Sequence, residues 1–113
     1  MEEQIYRGQI YNVDFGETSG SEQGGIRPAL IIQNNTGNRH SPTTIVCPIT
    51  SQVKTTLPTH VNIDFLYKPS IILCEQIRTI DISKVYKDTL LGNLRKDEME
   101  KVETALRISL GLK

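Results

Sequence analysis

Tryptophan is absent from this 113-residue chain, and other aromatic residues are few, with two phenylalanines and four tyrosines. Flat ligands such as nucleobases commonly stack on aromatic side chains, so few such platforms are available. An excess of charge is also lacking, because 13 lysines and arginines balance 13 aspartates and glutamates. A neutral chain has no global field that attracts nucleic acid. The composition therefore argues against a tight, sequence-blind nucleic-acid binder.

Cysteine is scarce, and long apolar runs are missing. Cys47 and Cys74 each lie in a short apolar run, where a free cysteine behaves as a small hydrophobic residue. Two isolated cysteines make neither a disulfide framework nor a zinc site. No run approaches the ~20 apolar residues of a membrane span, and the polar, acidic residues 1–4 do not resemble a signal peptide. We expect a cytoplasmic protein without metal or other cofactor.

The length and the 37% apolar content predict one small domain, residues 1–113, with a modest core. Oligomerisation would be a natural way to bury more surface. Residues 16–25 contain four of the eight glycines and predict a mobile loop. The short apolar run 29–32 predicts a strand covered on both faces. Further strands are predicted at residues 5–15, 43–49, 59–64 and 70–75, with a short one within 87–94. The strands at 59–64 and 70–75 are predicted to pair around the short connection at residues 65–69.

The C-terminal stretch has a different period. Met99, Val102, Leu106 and Leu110 recur every three to four residues, which predicts an amphipathic helix. Asp97 and Glu100 are the predicted capping box of this helix, and Gly111 lies near its end. Strands followed by a helix favour an α+β fold or a barrel with a helix.

One arginine stands out by its setting. Residues 20–28 (GSEQGGIRP) place Arg27 between a loop of glycines and small polar residues and an apolar strand. An arginine fork can grip a phosphate through two hydrogen bonds, so this is a candidate site for a charged ligand. On the motif alone, an arginine that caps the loop or pairs with Glu22 fits equally well. A basic cleft is a second hypothesis, against scattered surface charge, and its members would be Arg27, Arg39, Lys54 and Arg78.

Several motifs occur in a characteristic order. GSEQGG-x-RP is followed by ALIIQN, SPTTIVCPITSQ, LPTHV and EQIRTID. From about Arg7 to Leu112 the chain resembles the MazF/PemK endoribonuclease toxins of type II toxin–antitoxin systems. The resemblance implies a small SH3-like β-barrel with a C-terminal helix. It also implies metal-independent cleavage of single-stranded RNA at a short U- and A-containing motif such as UACAU, leaving 2′,3′-cyclic phosphate and 5′-hydroxyl ends.

The resemblance implies that Arg27 and Thr50 are the catalytic residues. Spacing alone gives weaker support, because a threonine at a strand end more often forms a turn. Arginine is a poor proton acceptor at neutral pH, so electrostatic stabilisation is its expected task. The general base stays unassigned, with Glu75 a candidate. An Arg-x-Asp pair found in one branch of the family is missing here, since residues 73–75 read Leu-Cys-Glu.

Base recognition is expected from amide, hydroxyl and carboxylate side chains, although each of these groups could instead stabilise a loop. His60 is expected to line the RNA groove or a strand face, and His40 to be exposed and idle. The connection at residues 65–69 looks shorter than in relatives. By family correspondence, the RNA-binding candidates are Ser21, Glu22, Gln23, Asn34, Leu57, Pro58, Thr59, His60, Glu75 and Gln76.

The resemblance further implies a homodimer with RNA lying across the interface, and a MazE-like antitoxin whose acidic tail blocks the groove. Two other functions compete with RNA cleavage. Gyrase-binding toxins share the fold, but they grip their target through a C-terminal tryptophan region that this chain lacks. A non-catalytic SH3-like protein-binding module is the other alternative, and it predicts that Arg27→Ala leaves function intact.

Overall fold

The computed structural model describes residues 4–52, 56–65 and 68–113. Over these residues the chain forms seven strands and two α-helices, with a 3₁₀ turn at Ile82–Lys84. None of the helices in this part of the chain is both long and apolar enough to cross a membrane. The elements in chain order are β1 (Gln9–Asp14), β2 (Ile26–Ile31), α1 (Asn35–His40), β3 (Thr43–Thr50), β4 (His60–Phe65), β5 (Lys68–Leu73), β6 (Arg78–Asp81), β7 (Gly92–Asn93) and α2 (Lys96–Leu110).

The strands form a curled antiparallel sheet in the order β4–β5–β3–β2–β1–β7. Strand β3 lies at its centre: it pairs with β2 along one edge and with β5 and β6 along the other. The predicted pairing of the strands around residues 65–69 is confirmed, with Phe65 opposite Lys68. Residues 66 and 67 of that predicted connection lie outside the described residues. Strand β6 was not predicted, because its four residues carry only one buried side chain, Ile80.

Both faces of the central strands are buried, as predicted for β2. Successive residues of a strand point to opposite faces of the sheet. On one face, Ile10, Leu30 and Cys47 join a core that includes residues of α2. On the other face, Tyr11 and Ala29 pack in a second core. The sheet is therefore covered by an apolar layer on each face.

The cysteines are free and fully buried, as their apolar surroundings predicted. The pKa of the Cys47 thiol is raised above its ordinary value by a hydrogen bond with the Cys74 side chain and by burial. A buried thiol with a raised pKa stays protonated and unreactive. The pair therefore contributes to packing within the core.

The polar segment between β2 and β3 includes a short helix that its residue pattern does not predict. It contains α1, whose N-cap is Asn34: the Asn34 Oδ1 accepts from the Gly37 N–H at 2.8 Å. A side-chain cap of this kind satisfies one of the orphan donors of a helix. The segment contains few apolar residues, so its pattern gave no helical signal.

Helix α2 is confirmed, but its predicted capping box is wrong. The N-cap is Arg95, whose backbone N–H donates to the Glu98 Oε1 at 2.9 Å. Asp97 lies inside the first turn and pairs with the Arg95 guanidinium at 3.0 Å. At the other end, Gly111 is the predicted terminator and adopts the left-handed conformation, with φ of 69°, which glycine tolerates best.

Candidate active site

Arg27 and Thr50 lie at the same edge of the sheet. The β2–β3 register pairs Ala29 with Pro48 and Leu30 with Cys47. Arg27 lies two residues before Ala29 and Thr50 two residues after Pro48, and both line one cleft at this end of the two strands. Thr50 also pairs with Ile71 of β5 on its other side. The sheet thus brings together the two residues that the motifs single out.

A cleft of about 420 Å³ opens at this edge. Apolar side chains, among them Ile49 and Phe65, line it together with groups that can contact a polar ligand. Lys68, at the start of β5, adds a second cation that the sequence did not reveal, because finding it requires knowing that β5 pairs with the end of β3. The lining residues are Arg27, Pro28, Ile49, Thr50, Ser51, Gln52, Phe65, Lys68 and Ser70.

The Arg27 guanidinium is partly buried and held on one side by the loop that precedes it. Its Nε donates to the Gly24 carbonyl oxygen at 2.9 Å, and its Nη1 donates to the Gln23 Oε1. Nη2 has no hydrogen-bond partner in the part of the chain that the structure describes. Arg27 therefore does cap its loop, which was the alternative to ligand binding. It also lines the cleft, and its Nη2 is left as a donor for a ligand. It does not pair with Glu22, whose Oε2 accepts from the Ser19 N–H at 3.1 Å.

The loop 16–25 is closed by its own hydrogen bonds. The Gly25 N–H donates to the Gly16 carbonyl and the Phe15 N–H donates to the Gly25 carbonyl, both at 2.9 Å. Gly16 and Gly25 have φ of 68° and 71°, a backbone conformation that glycine adopts without a steric cost. The glycines therefore shape a closed turn at the mouth of the cleft, which sets the starting point of β2.

Thr50 combines the two tasks that its position suggested. Its Oγ1 accepts from the Gln52 N–H at 3.1 Å, which is the turn-forming contact expected of a threonine at a strand end. Its hydroxyl proton has no acceptor among the described residues. The hydroxyl can therefore donate to an oxygen placed in the cleft.

Three of the predicted RNA-binding residues meet beside Arg27. The Gln76 Oε1 accepts from the Gln23 N–H at 2.8 Å, and the Gln76 Nε2 donates to the Ser21 carbonyl at 3.1 Å. Gln76 lies between β5 and β6. The contact therefore joins the glycine loop, residues 16–25, to the segment that connects these two strands. Ser21 and Glu22 are exposed, while Gln23 and Gln76 are partly buried.

The other predicted residues near β4 form a separate cluster around Glu75. Its Oε1 accepts from the Thr59 hydroxyl and its Oε2 contacts the His60 Nε2, both at 3.0 Å. The His60 Nδ1 accepts from the Leu57 N–H at 3.2 Å, which assigns the ring proton to Nε2. Both Glu75 oxygens are thus engaged within the cluster, away from Thr50. Pro58 is exposed on the adjoining loop.

Arg39 and Arg78 do not line this cleft. Arg39 lies in α1, beyond the opposite end of β2, and lines a separate depression. Arg78 stacks over the Phe15 ring, with 5.4 Å from its Cζ to the ring centroid. Lys54 lies outside the described residues. Asn34 also lies past the far end of β2, where it caps α1. Of the described members of the predicted basic cleft, Arg27 lines the cleft and Arg39 and Arg78 do not, while Lys68 joins it.

No group of three or more His, Cys, Asp or Glu side chains that could hold a metal ion occurs within residues 4–52, 56–65 and 68–113.

Comparison with known proteins gives the family. The profile described as the PemK-like, MazF-like toxin of type II toxin–antitoxin systems matches residues 6–110. The chain belongs to this family. The assignment made from its motifs, to the MazF/PemK endoribonuclease toxins, is thereby confirmed.

Individual relatives agree with this assignment. The chain is 49% identical over 113 residues to the endoribonuclease EndoA of Bacillus subtilis (strain 168), with 96% of each chain covered. Among solved structures, MazF from Deinococcus radiodurans superposes with a TM-score of 0.83 at 26% identity, covering 98% of this chain and 100% of that one. A mycobacterial endoribonuclease in complex with its cognate antitoxin superposes with a TM-score of 0.79 at 30% identity, covering 96% and 97%. The α+β fold with a C-terminal helix is that of MazF toxins.

Proposed function

We propose that this MazF-family protein is a cytoplasmic, metal-independent endoribonuclease that cuts single-stranded RNA at a short sequence motif. The observation that carries the proposal is that Arg27 and Thr50 line one cleft, where each keeps a donor without a partner among the described residues. Its 49% identity to a named endoribonuclease supports the same conclusion.

The proposed reaction uses the RNA as its own nucleophile. The 2′-hydroxyl attacks the adjacent phosphorus and the bond to the 5′ oxygen of the next nucleotide breaks, giving a 2′,3′-cyclic phosphate and a 5′-hydroxyl. The protein must align this attack, move protons and neutralise the charge that develops on the non-bridging oxygens.

Each residue at the rim has a task that fits its chemistry. Arg27, with its Nη2 facing no described acceptor, stabilises the charge on the phosphate. The Thr50 hydroxyl donates to a second phosphate oxygen. Lys68 lines the same cleft and attracts the RNA backbone. Glu75 is engaged by Thr59 and His60, which makes it a weaker candidate for the general base, so that role stays unassigned.

Recognition of the bases is assigned to two clusters of side chains. Ser21, Glu22, Gln23 and Gln76 make up the first. Leu57, Pro58, Thr59, His60 and Glu75 make up the second, and Asn34 stays a candidate from the family alone. These residues offer amides, hydroxyls and carboxylates, which read splayed bases by hydrogen bonding. A U- and A-containing motif such as UACAU is the proposed target.

Two partners complete the proposal. A cognate MazE-like antitoxin is expected to silence the protein, because a relative at 30% identity is described in complex with its own antitoxin. We also propose a homodimer, which would extend the small cores of the chain. Light scattering at micromolar concentration tests the second point, since a monomer there would contradict it.

The reaction class is tested by incubating the purified protein with a long unstructured RNA in the presence of EDTA. The cut sites and the chemistry of the new ends are then mapped. Cleavage at one short motif with cyclic-phosphate or 3′-phosphate ends supports the proposal. Intact RNA, from folded protein free of antitoxin, contradicts it and favours a protein-binding function.

A further inference from the structure

The tip of the glycine loop is tied to the body of the domain by one side chain. Gln76 stands in the turn after β5, more than 50 positions away from the loop in sequence. Its amide uses both ends: Oε1 accepts from the Gln23 N–H at 2.8 Å, and Nε2 donates to the Ser21 carbonyl at 3.1 Å. Glutamine is suited to this bridge because one planar group supplies a donor and an acceptor.

The bridge continues to Arg27. Gln23 donates its backbone N–H to Gln76, and its side-chain Oε1 accepts from the Arg27 Nη1. The next residue, Gly24, accepts from the Arg27 Nε at 2.9 Å. The loop tip therefore lies between Gln76 on one side and the Arg27 guanidinium on the other.

Other contacts do not replace this bridge. The bonds of Thr18 and Ser19 to Glu22 stay within the loop, and the Gly25–Gly16 bond closes only its base. Apart from the contacts of Arg27 itself, no other hydrogen bond among the described residues joins residues 18–23 to residues outside the loop 16–25. The position of the Gln23 side chain, and hence the aim of the guanidinium, depends on Gln76.

We propose that Gln76 is a positioning residue for catalysis, which fixes the loop tip so that Gln23 and Gly24 hold Arg27 toward the cleft. This inference rests on the proposed RNA cleavage for its catalytic part and on the loop contacts for its structural part. It differs from a role for Gln76 in reading a base, because the contacts exist in the protein without RNA.

The structural part is tested by hydrogen exchange without RNA. In Gln76→Ala the Gln23 amide loses its acceptor, so its exchange is expected to become at least about tenfold faster, while amides of β2 stay protected. Thr79→Ala is the matched control, because Thr79 is exposed on the nearby β6 and should leave Gln23 exchange unchanged. Unchanged exchange of the Gln23 amide in Gln76→Ala would overturn the inference.

The catalytic part is tested by separating kcat from KM. Misplacement of a catalytic group lowers the rate of the chemical step, so Gln76→Ala is expected to lower kcat about tenfold with KM little changed and with the same cut motif. Gln76→Glu keeps an acceptor for the Gln23 N–H but loses the donor to Ser21, so it should recover part of kcat. A rise in KM or an altered cut motif with kcat intact would show that Gln76 reads a base, and would overturn the inference.

A double variant adds a check that does not depend on absolute rates. If Gln76 acts through Gln23, the pair Gln23→Ala/Gln76→Ala should lose no more kcat than the more damaged single variant. A kcat loss in the double variant equal to the product of the two single losses would contradict the proposal that Gln76 acts through Gln23. Failure of the proposed function is distinct from either result: wild-type protein that cuts no RNA contradicts the function, whereas the exchange of the Gln23 amide tests the loop contacts regardless.

Discussion

Strand β2 begins after the loop 16–25 and ends before the segment that forms α1, and both flanking segments are polar and contain glycine. At the α1 end, the Asn38 Oδ1 accepts from the Thr44 hydroxyl at 2.7 Å and from the Gln33 Nε2 at 3.0 Å. Asn38 also donates to the Gln33 carbonyl at 3.0 Å. The side-chain amides of Asn38 and Gln33 are thus engaged in hydrogen bonds that hold α1 against β3.

The Arg27 end differs in what its polar groups leave unused. Arg27 and Thr50 each make contacts within the chain, yet a guanidinium nitrogen and a hydroxyl proton have no partner among the described residues, and both side chains line an open cleft. A buried polar network with its groups paired stabilises one structure. Donors that remain at a cleft can bind a ligand. We therefore expect the α1 end of β2 to serve as scaffold and the Arg27 end to carry out the proposed catalysis.

The largest difference is expected between removal of Arg27, at the start of β2, and removal of Arg39, in the helix α1 that follows β2. Arg27→Ala is expected to lower kcat about 10²–10³-fold, roughly 3–4 kcal/mol, because a preorganised donor to the phosphate is lost. Arg39→Ala, which removes an exposed arginine of α1, should retain the wild-type rate. The measurement is single-turnover cleavage of a short RNA in EDTA. Equal losses in both variants would show that the arginines contribute only general charge.

The hydroxyl of Thr50 should have the next largest effect. Thr50→Val is expected to lower kcat about 10–10²-fold, because a hydrogen bond to a charged group is worth about 1.5–3 kcal/mol. Thr50→Ser keeps the hydroxyl and should recover most of the rate in the same assay. A Thr50→Val enzyme with wild-type kcat would restrict Thr50 to its turn contact with Gln52.

Gly37 sharpens the comparison from the scaffold side. A Cβ at this position would lie 2.9 Å from the Gln33 Cδ and Nε2, and Gln33 is held by bonds to Asn38 and the Thr43 carbonyl. Gly37→Val is expected to lower the free energy of unfolding by about 1–3 kcal/mol, because the half-buried Gln33 side-chain amide must lose these hydrogen bonds. Urea unfolding measures this, with Thr36→Val as the control at an exposed helix position. Wild-type stability in Gly37→Val would show that the network yields freely.

Asn34 gives the smallest predicted change. Asn34→Ala removes the cap of α1 and should cost about 1 kcal/mol of stability, which Asn34→Asp should restore because aspartate also caps helices. Urea unfolding again reports the difference. A loss of RNA affinity in Asn34→Asp, with stability intact, would instead support the family-based expectation that Asn34 contacts RNA.

Much of the fold follows from local pattern in the sequence. The apolar runs of β2 and β3, the pairing of β4 with β5 and the end of α2 at Gly111 were predictable, because burial and backbone conformation constrain those residues directly. Helix α1 was not, because it is short and is held by polar contacts of Asn34 and Asn38. The N-cap of α2 was misplaced because Arg95 caps through its backbone.

The site divides in the same way. Arg27 and Thr50 were found from motifs, and their shared edge follows once β2 and β3 are paired. Lys68 and the Gln76 bridge were not predictable, since each depends on contacts with strands or loops distant in sequence. The loss of Arg39 and Arg78 from the predicted cleft has the same cause, because charge alone does not fix which end of a strand a side chain occupies.

The central claim is that Arg27 and Thr50 act together on one phosphate. It is tested most directly by single-turnover cleavage with the Arg27→Ala, Thr50→Val and Arg27→Ala/Thr50→Val proteins, each shown to be folded. Residues that act as a unit give non-additive losses, so the double variant is predicted to cut within about threefold of the rate of Arg27→Ala alone. A double variant whose loss equals the product of the two single losses would contradict the account, because the two residues would then act independently.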